Sequence, residues 1–383
     1  MKVLVLPSWY PDDEKKLNGI FFKEQVESLY DENVDIMVLA IYLMNIRGIC
    51  GKGNKKKGLY VTKENGVTIY RYYTFNYFPK LTELYLRYYS KIVNKLIKQI
   101  EKDKGKIDLV HIHSAIDAGI AYNMSNIGIP YIITEHSSKY QRNLLNDVQK
   151  KYLYSTFKNA DRVIAVGKGL REAVKSYCPN KEVLVIPNMV SFPTTAIHNK
   201  DLNKRRFRFF SLGLLTRVKG MDLLIEAFNK NRDQLQGCEL LIGGDGEEKS
   251  KLQSKIEEYN LQEYIKLLGM LDRNQVSYNM NNCDAFILAS RFETFGIVFL
   301  EAMTYGKPVI GTKTGGPDTF INEKNGIIVD VEDVEGLSKA MIYMANNTSR
   351  YDENYIKNYC DEKFSKKVIC NKIIDIYNEV CEK

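Results

Sequence analysis

Short apolar, β-branched runs alternate along this chain with longer stretches of helical period, and the alternation occurs twice. Residues 2–6, 34–40, 67–72, 109–113, 131–134, 162–166 and 182–186 read as strands, with helix-period segments near 20–31, 81–104, 115–127, 142–158 and 168–177 between them. Most of the strand runs are apolar throughout, which suits strands buried on both faces of a parallel sheet. The rhythm pauses over 187–203, where Pro, Ser, Thr and Asn cluster without periodicity, and this segment reads as a linker. It resumes with strands at 208–212, 239–242, 264–268, 285–289, 308–311 and 326–329, and helices near 221–231, 247–258, 273–280, 296–305 and 332–346. A final helix over 364–381 carries Val368, Ile369, Ile373, Ile376 and Tyr377 on one face. A chain of 383 residues exceeds the roughly 250–300 at which one core stops growing. The expectation is an α/β protein of two Rossmann-like domains facing one another across a cleft, with ligands beyond the carboxyl ends of the strands.

Charge and cysteine usage narrow the setting. Residues 1–190 hold 29 of the 55 Lys and Arg but 19 of the 47 Asp and Glu, a net of +10, and the remainder carries a net of −2. No apolar stretch reaches the ~18 residues of a membrane span. The first apolar run is too short for a secretion signal and meets Asp12, Asp13 and Glu14. Seven cysteines, an odd number with no CxxC spacing, suit reduced thiols and a cytoplasmic setting better than a disulfide framework. Four histidines without HExxH give no expectation of a metal site; His111 and His113 alternate on one strand and read as structural.

The segment 290–303, Ser-Arg-Phe-Glu-Thr-Phe-Gly-Ile-Val-Phe-Leu-Glu-Ala-Met, follows an apolar strand and opens a helix. Amides around Phe295, Gly296, Ile297 and Val298 would be unpaired there, at the positive end of the helix, and suit a phosphate. Glu293 just before the helix and Glu301 two turns in would accept hydrogen bonds from ligand hydroxyls, although two glutamates alone suit a solvated surface helix equally.

This segment resembles the E-x7-E motif of the retaining glycosyltransferases of family four, the group 1 enzymes, which have the two-domain GT-B fold. The similarity continues through "LPSWYP" and 18–25, "DLVHIHSA", "IITEHSS", "ADRVIAVG", "VIPN", "SLGLLTRVKGMDLLIEAF" and "LLIGGDGEE", in that order. The resemblance implies domains 1–190 (plus 364–383) on the acceptor side and 200–363 for the donor, with the last helix packing back on the first domain. It implies that Lys219 neutralises a donor diphosphate and that Glu293, His136 and Lys219 carry the catalysis. Gly19 would border the donor, and Gly269, Met270 and Leu271 would read its base. Where the family usually has Arg, this chain has Leu214, leaving Arg217 as the nearest basic substitute, and Thr319 stands where Glu is common. The implied reaction is metal-independent transfer of a sugar, with retention, from a UDP-sugar or GDP-sugar to a glycan or lipid-linked acceptor, in cell-surface polysaccharide synthesis. A nucleotide-sugar epimerase or hydrolase, or a silent nucleotide-sugar-binding subunit, would share the donor site.

Outside the motifs, His136 also suits a satisfied structural group, and "GGDGEE" at 243–248 lacks the third glycine of a dinucleotide loop. The basic excess lies in the Gly-rich run 47–57 and in Lys91, Lys95, Lys98 and Lys102 at helical spacing beside Leu84, Tyr88 and Tyr89. An anionic membrane surface, met peripherally at its cytoplasmic side, fits this pattern as well as a solvated outer helix does. No nucleic-acid-binding motif accompanies the charge.

Overall fold

Strands that are apolar on both faces need cover on both, and the parallel sheets of this protein obtain it from crossover helices. The computed structural model describes residues 1–13, 18–45, 56–192 and 206–382. The chain divides into two compact units, one of Met1–Asn188 with Lys366–Lys383, the other of Met189–Ser365.

The first unit is built on an eight-stranded sheet of β1 (Lys2–Pro7), β2 (Asp35–Asn45), β3 (Gly58–Glu64), β4 (Val67–Asn76), β5 (Leu109–His113), β6 (Tyr131–Glu135), β7 (Arg162–Ala165) and β8 (Val183–Val185). Their spatial order is β3-β4-β2-β1-β5-β6-β7-β8. All pairs are parallel except β3 with β4. Between the strands run α1 (Ile20–Asp31), α2 (Thr82–Lys104), α3 (Ile120–Ser125), α4 (Asp147–Asn159) and α5 (Lys168–Lys175). Strand β1 is central, and Val3, Leu4, Val5 and Leu6 are wholly buried.

In the second unit β9 (Phe207–Leu212), α6 (Met221–Lys230), β10 (Cys238–Gly243), α7 (Lys249–Glu258), β11 (Ile265–Gly269), α8 (Arg273–Asn282), β12 (Ala285–Leu288), α9 (Ile297–Thr304), β13 (Val309–Thr312), β14 (Gly326–Val329), α10 (Val334–Asn347) and α11 (Glu353–Phe364) follow in sequence. The six strands lie in the order β11-β10-β9-β12-β13-β14, all parallel. The order reverses between β9 and β12, which in a doubly wound sheet marks the crevice where ligands bind. Helix α12 (Lys366–Cys381) belongs to the first unit and packs on α1 and β5. There the Tyr377 hydroxyl lies 2.6 Å from His111 Nδ1.

Several local expectations change. Strand β3 was hidden by its polarity. It is an edge strand with Tyr60 and Val61 exposed, joined to β4 by Asn65-Gly66, both at positive φ as a two-residue hairpin turn requires. The helix expected over 115–127 is only α3, because Ser114 and Asp117 adopt positive φ and break the turn before it. Helix α4 starts at Asp147, fixed by a reciprocal cap between Asn146 and Gln149. Helix α11, unforeseen, is capped by Asp352. Most of the basic run 47–57 and of the linker 187–203 lies outside the described residues. Among the described residues no helix is long and apolar enough to cross a membrane.

Candidate active site

The reversal of strand order in the second unit brings together the loops after β9 and β12. The first contains a single 3-10 turn, Arg217–Lys219, and the second runs from Ala289 to Gly296. The Lys219 ammonium lies 2.6 Å from a Glu293 carboxylate oxygen. Their side chains are 26% and 13% exposed, so the pair is shielded yet reachable.

Two glycines make this proximity possible. Gly220 takes φ 64°, and a Cβ there would come within 1.9 Å of the Ala289 carbonyl oxygen. Any side chain would therefore push the turn off the end of β12. Gly296 caps α9 at φ 90°, and a Cβ there would approach the Phe299 ring to 2.7 Å. Helix α9 then begins at Ile297, so the amides of Ile297 and Val298 are among those an α-helix leaves without an internal partner. Glu301 sits about one turn into α9, rather than the two expected, because the four-residue step from Ile297 to Glu301 spans little more than one turn of about 3.6 residues. Phe295 is buried against Phe320 and Phe364 and anchors the loop.

The remaining donor-side candidates spread along the same strand ends. Arg217 is exposed at the start of the turn. Gly269 ends β11, two strands away from β9, and Met270 and Leu271 follow it, with Met270 59% exposed. The 243–248 loop joins these regions: Gly213 N–H donates to the Gly243 carbonyl, Leu215 N–H to Asp245, and Gly244 N–H to Gly269. This tight segment is a structural splice between the loops after β9 and β11.

In the first unit the order reverses between β1 and β5. Gly19 caps α1 after β1, and His113 and His136 end or follow β5 and β6. His113 Nδ1 is 3.1 Å from His136 Nε2, and the Phe22 ring lies within 4.7 and 4.8 Å of the two imidazoles, between centroids. Burial pushes the His136 imidazole down to about 3, with His111 adding to the effect, and holds His113 well below its ordinary value. Both rings are therefore neutral. Among the described residues His113 Nε2 and His136 Nδ1 find no hydrogen-bond partner. His111 has both nitrogens engaged, by Tyr377 and by Thr134 Oγ1 at 2.7 Å.

Three residues went without a role in the sequence reading. Arg291 holds Asp222, Glu332 and the Arg217 carbonyl together beside Lys219. Glu135, with no exposure, accepts from Ser114 Oγ, the Tyr140 hydroxyl and the amides of Ala115, His136 and Ser137. His113, whose alternation with His111 in sequence suits a structural group, gives there no sign of its contact with His136. Among the described residues no group of three or more His, Cys, Asp or Glu is placed to hold a metal ion.

Two doubly wound units, with the Lys219–Glu293 pair and the start of α9 at the switch point of the second, define a GT-B type of architecture. Residues 193–360 match the family described as glycosyl transferases group 1, and residues 48–192 match that described as glycosyltransferase family 4. The chain belongs to the group 1 glycosyltransferases. An uncharacterized glycosyltransferase of Methanocaldococcus jannaschii, MJ1178, is 28% identical over 67% of this chain and 71% of its own. The lipopolysaccharide core biosynthesis glycosyltransferase LpsE of Rhizobium meliloti is 29% identical over 49% of this chain and 54% of its own. Among solved structures, sucrose-phosphate synthase from Thermosynechococcus elongatus superposes with a TM-score of 0.78, at 17% identity over 99% of both chains. Anabaena HepE in complex with UDP-glucose does so at 0.70, with 15% identity over 99% and 100%.

Proposed function

We propose that this protein transfers a sugar, with retention, from a nucleotide-diphospho-sugar to a glycan or lipid-linked acceptor, without a metal, in the synthesis of a cell-surface polysaccharide. The observation that carries the reading is the Lys219–Glu293 pair at the switch point of the second unit. In retaining transfer through an oxocarbenium-like transition state, negative charge accumulates on the departing diphosphate, and catalysis is largely the stabilisation of that charge. Lys219 supplies a mobile ammonium for it, Arg217 a second cation, and the first amides of α9 fixed partial charges. Glu293 holds Lys219 extended before the donor arrives. Once phosphate oxygens compete for the ammonium, the carboxylate is free to accept from sugar hydroxyls, and Glu301 from the ribose. Met270 and its neighbours border the base, UDP or GDP. Gly19 and His136, both in the first unit, are proposed for the sugar: His136 Nδ1 is a neutral hydrogen-bond group with no partner among the described residues.

The binding of UDP-glucose by HepE and the role of LpsE in lipopolysaccharide core biosynthesis support the donor and the pathway class. The basic face of α2 supports a peripheral encounter with an anionic, cytoplasmic-side membrane where a lipid-linked acceptor would lie. At 100° per residue, exposed Leu84, Arg87, Lys91, Lys95, Lys98 and Lys102 fall within a stripe of roughly 80°. Exposed Leu81 and Leu144 lie at its amino-terminal end, where Asn146 donates to Thr82 Oγ1.

The test is incubation with UDP- and GDP-sugars, with and without an acceptor panel, followed by determination of the product's anomeric configuration. Turnover only with acceptor, and retention, is expected. Donor conversion without acceptor would instead identify an epimerase or hydrolase, and binding without turnover a silent subunit.

A further inference from the structure

Arg291 has five guanidinium N–H groups, and the protein itself uses all five. Nη1 and Nη2 donate to the two Asp222 carboxylate oxygens at 2.8 Å each. Nε donates to Glu332 at 2.5 Å and Nη2 also at 3.3 Å. Nη1 donates in addition to the Arg217 carbonyl at 2.7 Å, and the Arg291 backbone amide donates to the Val218 carbonyl at 2.8 Å. The side chain is 11% exposed. A guanidinium with no donor left over is not a substrate contact, although it lies two residues from Glu293.

The partners show what the group does instead. Arg217 and Val218 are the two residues before Lys219, in the same 3-10 turn. Asp222 lies in the first turn of α6, which Gly220 caps immediately after Lys219. One residue thus grips the turn on both sides of Lys219 while its own backbone leads into Glu293. Glu332 reaches this cluster from a left-handed conformation, φ 65°, that a side-chain-bearing residue seldom adopts. Burial alone would raise the Asp222 carboxyl, yet the Arg291 hydrogen bonds hold it below its ordinary value, and those bonds raise the guanidinium in turn. The Asp222–Arg291 pair therefore stays charged through the physiological range.

We propose that Arg291 is a positioning residue that sets the register of Lys219 against Glu293, a reading that rests on that pair being the diphosphate site. Two independent loops meet at the pair, and the Arg291 clamp is the covalently continuous piece of one that grips the backbone of the other. Lysine is not a substitute, because a point charge with three donors has no planar fork to span a carboxylate and a carbonyl together.

The experiment titrates UDP and GDP into the full chain and into Arg291→Lys, Asp222→Asn, Lys219→Met and the double variant Arg291→Lys/Lys219→Met, with thermal unfolding of each. Arg291→Lys is expected to weaken nucleotide binding about tenfold where Lys219 is present, and to add almost nothing once Lys219 is Met. Equal losses in both backgrounds would show a merely structural role and overturn the proposal, as would no loss in either. Should Arg291→Lys not fold, the near-isosteric Asp222→Asn carries the same comparison in a double variant with Lys219→Met. Nucleotide binding that depends on Lys219 and ignores both clamp variants overturns the clamp alone. Failure of the unmodified chain to bind either nucleotide overturns the donor-site reading, and the clamp with it.

Discussion

Lys219 and Glu293 are 74 residues apart in sequence and 2.6 Å apart in space. A lysine bound only to water would have to be ordered when a diphosphate arrived. On the proposed reading its ordering is already achieved by a carboxylate that a diphosphate would displace, so the cation would meet the developing charge with little reorganisation.

Removal of that cation should be felt mainly in turnover. Lys219→Ala is expected to lower kcat by roughly 10²- to 10³-fold, the magnitude typical of losing one charge-stabilising group. Glu301→Ala is expected to raise the donor KM instead. Steady-state kinetics on the two variants check this, and unchanged constants in both would refute the site.

The histidine cluster makes stability sensitive to acid. His111 and His136 are pushed down to about 3 by burial, and His113 lies well below its ordinary value. In the unfolded chain all three would titrate near 6.5. Between those limits the unfolded state binds more protons, so stability is full above pH ~6.5 and falls as pH drops, by up to about 1.4 kcal/mol per pH unit per histidine. Urea unfolding of the wild type and of His113→Gln between pH 7.5 and 5 should show a shallower slope for the variant.

Glu135 stands among five hydrogen-bond donors with no exposure. Whichever oxygen it replaces, Glu135→Gln turns an amide NH2 toward a backbone N–H that can only donate, and is expected to cost roughly 2–4 kcal/mol. Chemical denaturation measures the loss. A cost under about 0.5 kcal/mol would mean that the network rearranges freely.

For the α2 face, flotation with vesicles is the direct measurement. Binding to phosphatidylglycerol vesicles, absent with phosphatidylcholine and weakened at 0.5 M salt, is expected. A Lys91→Glu/Lys95→Glu/Lys98→Glu variant should lose it while keeping its melting temperature. Equal binding to both lipids, or none, would reduce the stripe to a solvated surface.

What was legible in the sequence was what depends on local pattern. The fully apolar runs at β1 and β12 announced buried parallel strands, and the glycine before α6 marked where backbone comes close to backbone, that before α9 where it comes close to the Phe299 ring. Strand β3 escaped because an exposed edge strand has no apolar alternation, although Asn65-Gly66 was a hairpin signal in plain sight. Helix α11 escaped because its apolar residues are few among polar ones, although the spacing of Ile356, Cys360 and Phe364 and the Asp352 cap are both helix signals. The Arg291 clamp was beyond reach: its partners lie 69 and 41 residues away, and an arginine beside a strand end carries no mark of what it will hold. The same holds for His113 and His136, whose proximity follows from the pairing of β5 with β6.

The return of α12 to the first unit has a consequence for biosynthesis. Tyr377, the partner of His111, emerges from the ribosome after the whole second unit has been made. The first unit must wait with β5 and one side of α1 uncovered, while the second, contiguous over Met189–Ser365, has its full complement of strands. The half of the protein that is translated first is therefore the half completed last, and its exposed apolar surface in that interval is where chaperones would act.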